Sequence, residues 1–357
     1  MRPTSRCVSA LLISCAVLAN GCHQSQASAS RSPDAQASTA GQGTTATSAK
    51  APSQSSPSKS STRTLDWAEV IEAEVDPAVV TDAGLRDAIK ATGLPWRVRD
   101  KGTNIEMLLI PPGEFVMGKS RRDDQGEKDE VPAHNVKLTK AFYLGRYEVT
   151  QQQYAWVRKL TPSTNAQLLA PTVVEFMLSG ATKSEAETNA RSWKAPYPAP
   201  NAMGKEWPVE MVSWDNCEAF CRMTELRLPT EAEWEYACRA GSRAPRYGEL
   251  DEIAWWPGNS TPKLSLVGKT HAVGTKRANA LGLHDMLGNV AEWVDDWYGD
   301  YSADAQSDPQ GPREGSARVF RGGSWNPHFG FCRAPLRSST SPDDYGNYLG
   351  FRVARTP

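Results

Sequence analysis

Residues 23–64 contain no Leu, Ile, Val, Met or aromatic side chain; the stretch is Ser, Ala, Thr, Gln and Pro with a few charges. Such a tract cannot bury enough apolar surface to offset the entropy of ordering it, so it reads as a disordered tether. Any core must therefore be built from residues 65–357. The composition of the chain is unusual in kind: its 12 Trp, all beyond the tract, outnumber either Tyr or Phe, and the whole chain holds 27 Gly and 25 Pro. That composition predicts a loop-rich globule braced by large rings rather than a helical bundle. The formal charge of -1 and the lack of a basic stripe argue against a nucleic-acid partner.

The segment before the tract reads as a targeting signal. Arg2 and Arg6 precede an apolar run from Val8 to Ala19 that is too short to span a bilayer as a mature helix. Leu18-Ala19-Asn20-Gly21-Cys22 resembles a bacterial lipobox, with Cys22 as the lipidated residue; an ordinary secretory cleavage nearby is the alternative. Either reading exports the chain. The expectation is a membrane-anchored lipoprotein on the periplasmic face of the cell envelope, its domain held off the membrane by residues 23–64. Cys217, Cys221, Cys238 and Cys332 would then sit in an oxidising compartment.

Residues 65–103 read as a short helical preface, with Thr81-Asp82 capping a helix that carries Leu85, Ile89 and Leu94. A main domain is expected over 104–357. Ile105–Ile110 is strand-like, Pro111-Pro112-Gly113 turns it, and Glu114–Gly118 returns as a hairpin partner. Val136–Leu144 reads as another strand, and Thr150 caps a helix with Tyr154 and Val157 on one face. Residues 160–206 form an insertion with a helix near Val173–Leu178. Ser213 caps a helix burying Cys217, Phe220 and Cys221 at helical spacing. Thr230 and Glu233 make a capping box for the next, which carries Arg239 at its end and stops at Gly241. The acidic and basic run Arg121–Glu130 reads as a solvated loop.

Several strings occur in one order. They are Pro112-Gly113-Glu114-Phe115-Val116-Met117-Gly118, Tyr147-Glu148-Val149-Thr150, and Trp207-Pro208-Val209 through Val212-Ser213-Trp214. Arg227-Leu228-Pro229-Thr230-Glu231-Ala232-Glu233-Trp234 follows, then Gly282–Trp293 around Gly288-Asn289. Arg321-Gly322-Gly323-Ser324-Trp325 and Gly350-Phe351-Arg352 close the series. Together they resemble the formylglycine-generating (sulfatase-modifying factor) enzymes. The resemblance implies an α+β fold of complex C-type-lectin type with little regular secondary structure. It also implies oxygen-using chemistry: founding members convert a sulfatase cysteine to formylglycine with copper held by two thiolates, and relatives in ergothioneine synthesis use iron.

At the site the resemblance would require a cysteine, a histidine, and a second cysteine five residues after the first. His328 and Cys332 match; Pro327 stands where the first cysteine belongs and offers no ligand. One thiolate is a poor copper site. Other departures agree: Ala291 replaces an aromatic, Tyr348 stands where asparagine is frequent, and the stretch from Cys332 to Arg337 is short. The resemblance carries Ser324, His328 and Cys332 over as the residual catalytic set, with His328 and Cys332 as a base and thiolate pair. An alternative register makes Cys332 structural, bonded to Cys238 in a disulfide that would stabilise by about 3–5 kcal/mol. Cys217 and Cys221, four apart on one helix face, are expected as buried free thiols. His134, His271 and His284 are too scattered to assemble a three-histidine iron site.

The resemblance also implies calcium, held by Asp285, Gly288, Val290 and Glu292 around the Gly288-Asn289 turn; oxygen donors of this kind suit that ion. The alternative is a salt-bridged turn beneath Trp293 and Trp297. A second calcium site at Asn259 and Ser260 lacks an acid. Arg321, Arg337 and Arg352 are expected to pair with acids or stack on tryptophans. Two functions follow. The missing cysteine favours an envelope binding or scaffold module over a cysteine-to-formylglycine oxidase. The second is a periplasmic oxygen-dependent enzyme acting on an exported protein, a peptide or a small thiol.

Overall fold

A computed structural model describes residues 65–119, 123, 126–160, 206–261 and 268–357. The readings of residues 1–64, Cys22 included, and of a helix near Val173–Leu178 lie outside the described residues. Among the described residues, three small sheets, five α-helices and two short 3-10 turns make up the regular structure. The first sheet is antiparallel throughout, in the order β1 (Ala68–Glu72), β2 (Arg97–Asp100), β3 (Glu106–Ile110), β6 (Phe142–Gly145), β12 (Ala354–Arg355). The second runs β10 (Arg337–Thr340), β9 (Arg318–Arg321), β7 (Ala291–Trp297), β11 (Leu349–Phe351), with β11 parallel to β7. The third is β4 (Gly113–Met117), β5 (His134–Leu138) and β8 (Gln306–Ser307). No helix of the described residues is long and apolar enough to cross a membrane.

The helices start where side-chain chemistry allows. α1 (Ala83–Ala91) is capped by Asp82, whose carboxylate accepts from the Leu85 amide. Thr150 and Gln153 exchange side-chain and backbone bonds at the start of α2 (Gln151–Leu160). Ser213 caps α3 (Trp214–Thr224) with Asn216 answering. Thr230 and Glu233 form the expected box on α4 (Glu231–Arg239). Each box satisfies two amides that the first turn leaves without intrahelical partners. α4 stops when Ala240 and Gly241 both turn left-handed, and glycine tolerates that conformation best. A short fifth helix, α5 (Leu250–Ile253), follows.

Four expectations are corrected. The preface is no appendage: β1 and β2 belong to the first sheet, and β2 pairs with β3 across the boundary drawn at 103 and 104. The hairpin at Pro111-Pro112 does not form. β3 pairs with β2 and β6 while β4 pairs with β5 in another sheet. Two consecutive prolines supply no amide protons, so a ladder cannot propagate through that corner. The single strand expected over Val136–Leu144 is two, β5 and β6, in different sheets. Finally, the 121–130 run is not simply solvated, because Asp123 and Glu130 are buried against Arg333.

The core is apolar at its centre, with Trp234, Trp293, Tyr143, Tyr154, Phe220 and Phe351 buried in it. Threaded through it are buried guanidiniums. Arg321 bridges Glu231 and Glu235 of α4, and Arg337 forks onto Glu231. Arg239 holds Glu235 at 2.7 Å, and Arg333 grips Glu130 and Asp123. Pairing of this kind is what permits such charges to be buried at all.

Candidate functional site

The site loop is the connection between β9 and β10. It leaves β9 through Gly322 and Gly323, whose φ values of 95° and 70° suit glycine. A side chain on Gly322 would come within 3.1 Å of the Met286 carbonyl and 3.2 Å of the Trp234 ring. Ser324 follows, fully buried, its hydroxyl accepting from the Asn326 amide at 3.1 Å. Trp325 is pinned by its indole N–H to the Asn347 carbonyl at 3.0 Å.

Asn326 then caps a short 3-10 turn over Pro327–Phe329, its side chain accepting from the His328 amide. Proline suits the first position of such a turn, where an amide proton would have no partner. The turn presents Pro327 and His328 to solvent, and Phe331 is 60% exposed. His328 and Phe331 line a narrow cleft of about 40 Å³ with Phe320, Arg321, Gly323 and Ser338.

Cys332 is enclosed instead. It is 0% exposed, and burial pushes its thiol up to about 12. Its neighbours draw it inward: the Arg246 guanidinium donates to the Cys332 carbonyl at 2.8 Å, and Arg333 is clamped by Glu130. No hydrogen bond joins His328 to Cys332 among the described residues, and Cys332 does not line the cleft. The expected base and thiolate pair is therefore not assembled. A nucleophilic cysteine needs an electropositive, partly exposed setting that lowers its pKa; here burial works the other way.

The disulfide expected between Cys238 and Cys332 is also not formed. Both are free thiols. Cys238 Sγ points at the Met286 carbonyl, 3.9 Å away. Cys217 and Cys221 are buried and free, as their spacing on α3 implies. All four thiols are held above their ordinary range by burial.

The Gly288-Asn289 turn forms a second cluster. Asp285, Gly288 and Asn289 take φ values of 53°, 83° and 55°. Glu148, from the Tyr147-Glu148-Val149-Thr150 string, accepts from Asn289 Nδ2 at 2.7 Å and from the Val290 amide at 3.0 Å. Nothing in its sequence context singles it out beyond its place in that string. Asp285 Oδ2 accepts from the Gly274 amide, whereas Oδ1 is buried without a partner. Burial, helped by the other carboxylates, pushes Glu148 well above the carboxylate range. Burial likewise holds Asp285 up to about 6, against the Gly274 amide and Arg352.

Glu292 is not the open ligand the sequence suggests. Its oxygens receive Arg352 Nε and Nη2, both at 2.6 Å, and the Trp234 indole at 2.7 Å. Its charge is answered by a bidentate guanidinium, the stronger form of such a pair. Among the described residues no three His, Cys, Asp or Glu side chains are placed to hold a metal. Any cation at this turn would therefore depend on backbone oxygens as well.

Residues 94–357 match the sulfatase-modifying factor enzyme 1-like domain family. The chain belongs to that family. It is 34% identical over 281 residues to a formylglycine-generating enzyme of Streptomyces coelicolor, an alignment covering 69% of this chain and 88% of that one. It is also 28% identical to a Bos taurus protein named inactive C-alpha-formylglycine-generating enzyme 2, over 72% of this chain and 91% of that one. Among solved structures, Treponema denticola variable protein 1 superposes with a TM-score of 0.52 at 27% identity, covering 71% of this chain and 95% of that one. The mixed helix and strand architecture expected from the motifs is the family's.

Proposed function

We propose that this family member does not oxidise cysteine to formylglycine and serves instead as a lipid-anchored binding or scaffold module of the cell envelope. One observation carries the reading. At the position of the first copper thiolate stands an exposed Pro327, while Cys332 is buried with its thiol up at about 12. A linear two-sulfur site needs both donors as accessible thiolates. The anchored location rests on the lipobox-like run ending in Cys22 and on the tether of residues 23–64. The exposed Phe331 and His328 beside the cleft supply a surface for an exported protein or peptide.

The test is Cu(I) titration of the purified chain followed by incubation with a sulfatase-motif peptide under oxygen. The expected outcome is no tight copper binding and an unchanged peptide mass. Stoichiometric copper binding, with conversion of the peptide cysteine, would return the chain to the oxygen-dependent enzymes. The anchor is tested separately: labelled palmitate should enter the wild-type protein in its host and not a Cys22→Ala variant.

Calcium belongs to the same proposal as a structural ion. The buried cluster holds Glu148, Asp285 and Glu292 against one guanidinium, Arg352. That excess of carboxylate and the orphaned Asp285 Oδ1 fit a hard cation held by Asp285 with the carbonyls of Gly288 and Val290. Glu292 would have to share oxygens already given to Arg352. Calcium should raise the melting temperature of wild type, and should do so far less for Asp285→Asn.

A further inference from the structure

A second cavity, separate from the cleft at His328, opens where the start of α4, the end of β7 and the loop over residues 299–312 meet. Its volume is about 290 Å³, room for a small organic ligand or the end of a side chain. Asp296 forms part of its wall and is only 4% exposed. Its Oδ2 accepts from the Glu231 amide at 2.7 Å. Its Oδ1 has no hydrogen-bond partner among the described residues. Gly311, at φ 66°, also lines the cavity, and a Cβ there would come within 3.1 Å of that oxygen. The absence of a side chain at Gly311 leaves Oδ1 uncovered.

The charges around the cavity decide what could fill it. Glu231, Asp296 and Asp300 line it against a single guanidinium, Arg337. Arg337 is not available to Asp296. Its Nε and Nη2 go to Glu231 at 2.9 and 2.8 Å, and its Nη1 to the carbonyls of Asp129 and Gly299. Glu231 is itself saturated by Arg337, Arg321 and the Tyr301 hydroxyl. Asp296 thus remains the buried carboxylate with an open oxygen. A buried acceptor of this kind gains most from a charged donor. A metal is a poor match, because among the described residues no three acidic, histidine or cysteine side chains are placed around one point.

We propose that this cavity is a binding site for a primary ammonium group on a slim stem, such as a lysine side chain or a small amine, with Asp296 as its anchor and Asp300 at the rim. The ammonium would donate to Asp296 Oδ1, and the aliphatic stem would pass Trp297 and Tyr301. Burial and the adjacent Glu231 carboxylate push the Asp296 carboxyl well up when it stands alone, so binding of an ammonium ion is coupled to loss of the Asp296 proton.

The test is isothermal titration calorimetry of the purified chain with cadaverine, beside the neutral isostere 1,5-pentanediol. Saturable binding of the diamine is expected, with the diol at least about ten-fold weaker. Asp296→Asn keeps an oxygen for the Glu231 amide but loses the charge, and should weaken cadaverine by at least about ten-fold. Gln310→Lys, at an exposed rim position of the cavity, brings its own ammonium and should compete with the ligand; it guards against a folding defect in the first variant. Failure of cadaverine to bind, equal binding of the diol, or wild-type affinity in both variants would overturn the assignment.

Discussion

The charged lattice behind α4 and the loop between β9 and β10 are built from neighbouring residues on opposite principles. In the lattice every carboxylate meets a guanidinium: Glu231 with Arg321 and Arg337, Glu235 with Arg321 and Arg239, Glu130 with Arg333. In the loop, Pro327, His328 and Phe331 face solvent, and the one thiol has been drawn inside. Arg321 and Arg333 lie only twelve positions apart, yet both belong to the lattice, and the loop between them is what the lattice leaves outside. The family strings in this chain mostly specify the scaffold.

The contrast can be broken most directly at Glu235. Glu235→Gln leaves Arg321 and Arg239 short of a partner in a dry interior and should cost about 3–5 kcal/mol, read from urea unfolding. A loss below about 1 kcal/mol would mean that the lattice is not the structural element described.

Asp285 gives the next effect, through pH. Its folded carboxyl sits up at about 6 against an ordinary 3.8, so the folded state holds that proton more tightly than the unfolded chain. Its contribution is complete below about pH 4 and is lost as pH rises through about 6. In calcium-free buffer, stability should fall across that window by on the order of 2–3 kcal/mol from this group. Asp285→Asn should flatten the slope, and added calcium should oppose it.

Thr230→Ala removes one side-chain acceptor at the start of α4 and should cost about 1 kcal/mol, by the same unfolding measurement. At the small end, His328→Ala should change stability by less than about 0.5 kcal/mol, since its ring has no bonded partner among the described residues. In the same spirit, the four described thiols should resist a thiol reagent until the protein unfolds, whereas Pro327→Cys should add a single rapidly reacting one. Destabilisation by His328→Ala matching that of Glu235→Gln would erase the distinction between lattice and loop.

The helix starts were legible because capping is local: Asp82, Ser213 and Thr230 each act within three residues of themselves. Pro327 was legible for the same reason, since proline cannot ligate a metal wherever it sits. Arg321, Arg337 and Arg352 could be expected to pair, though not with which acids. What could not be read was anything set by residues far apart in sequence. Glu148 meets Val290 across 142 positions, and Arg333 meets Glu130 across 203. Those contacts turned Asp123 and Glu130 inward, and Cys332 is buried beside Arg333. The preface strands were missed because β1 and β2 are short and half-exposed, and only their pairing with β3 defines them.

The sequence by itself determined the family, the helix punctuation and the proline at position 327, because each depends on residue identity at short range. Only the tertiary structure decided that His328 stays exposed while Cys332 is buried, that Glu292 is taken up by Arg352, and that Asp296 keeps an open oxygen inside a cavity. Burial and partner choice depend on which distant segments are brought together. A side chain's pKa, reactivity and ligand capacity follow from those two quantities more than from its own identity.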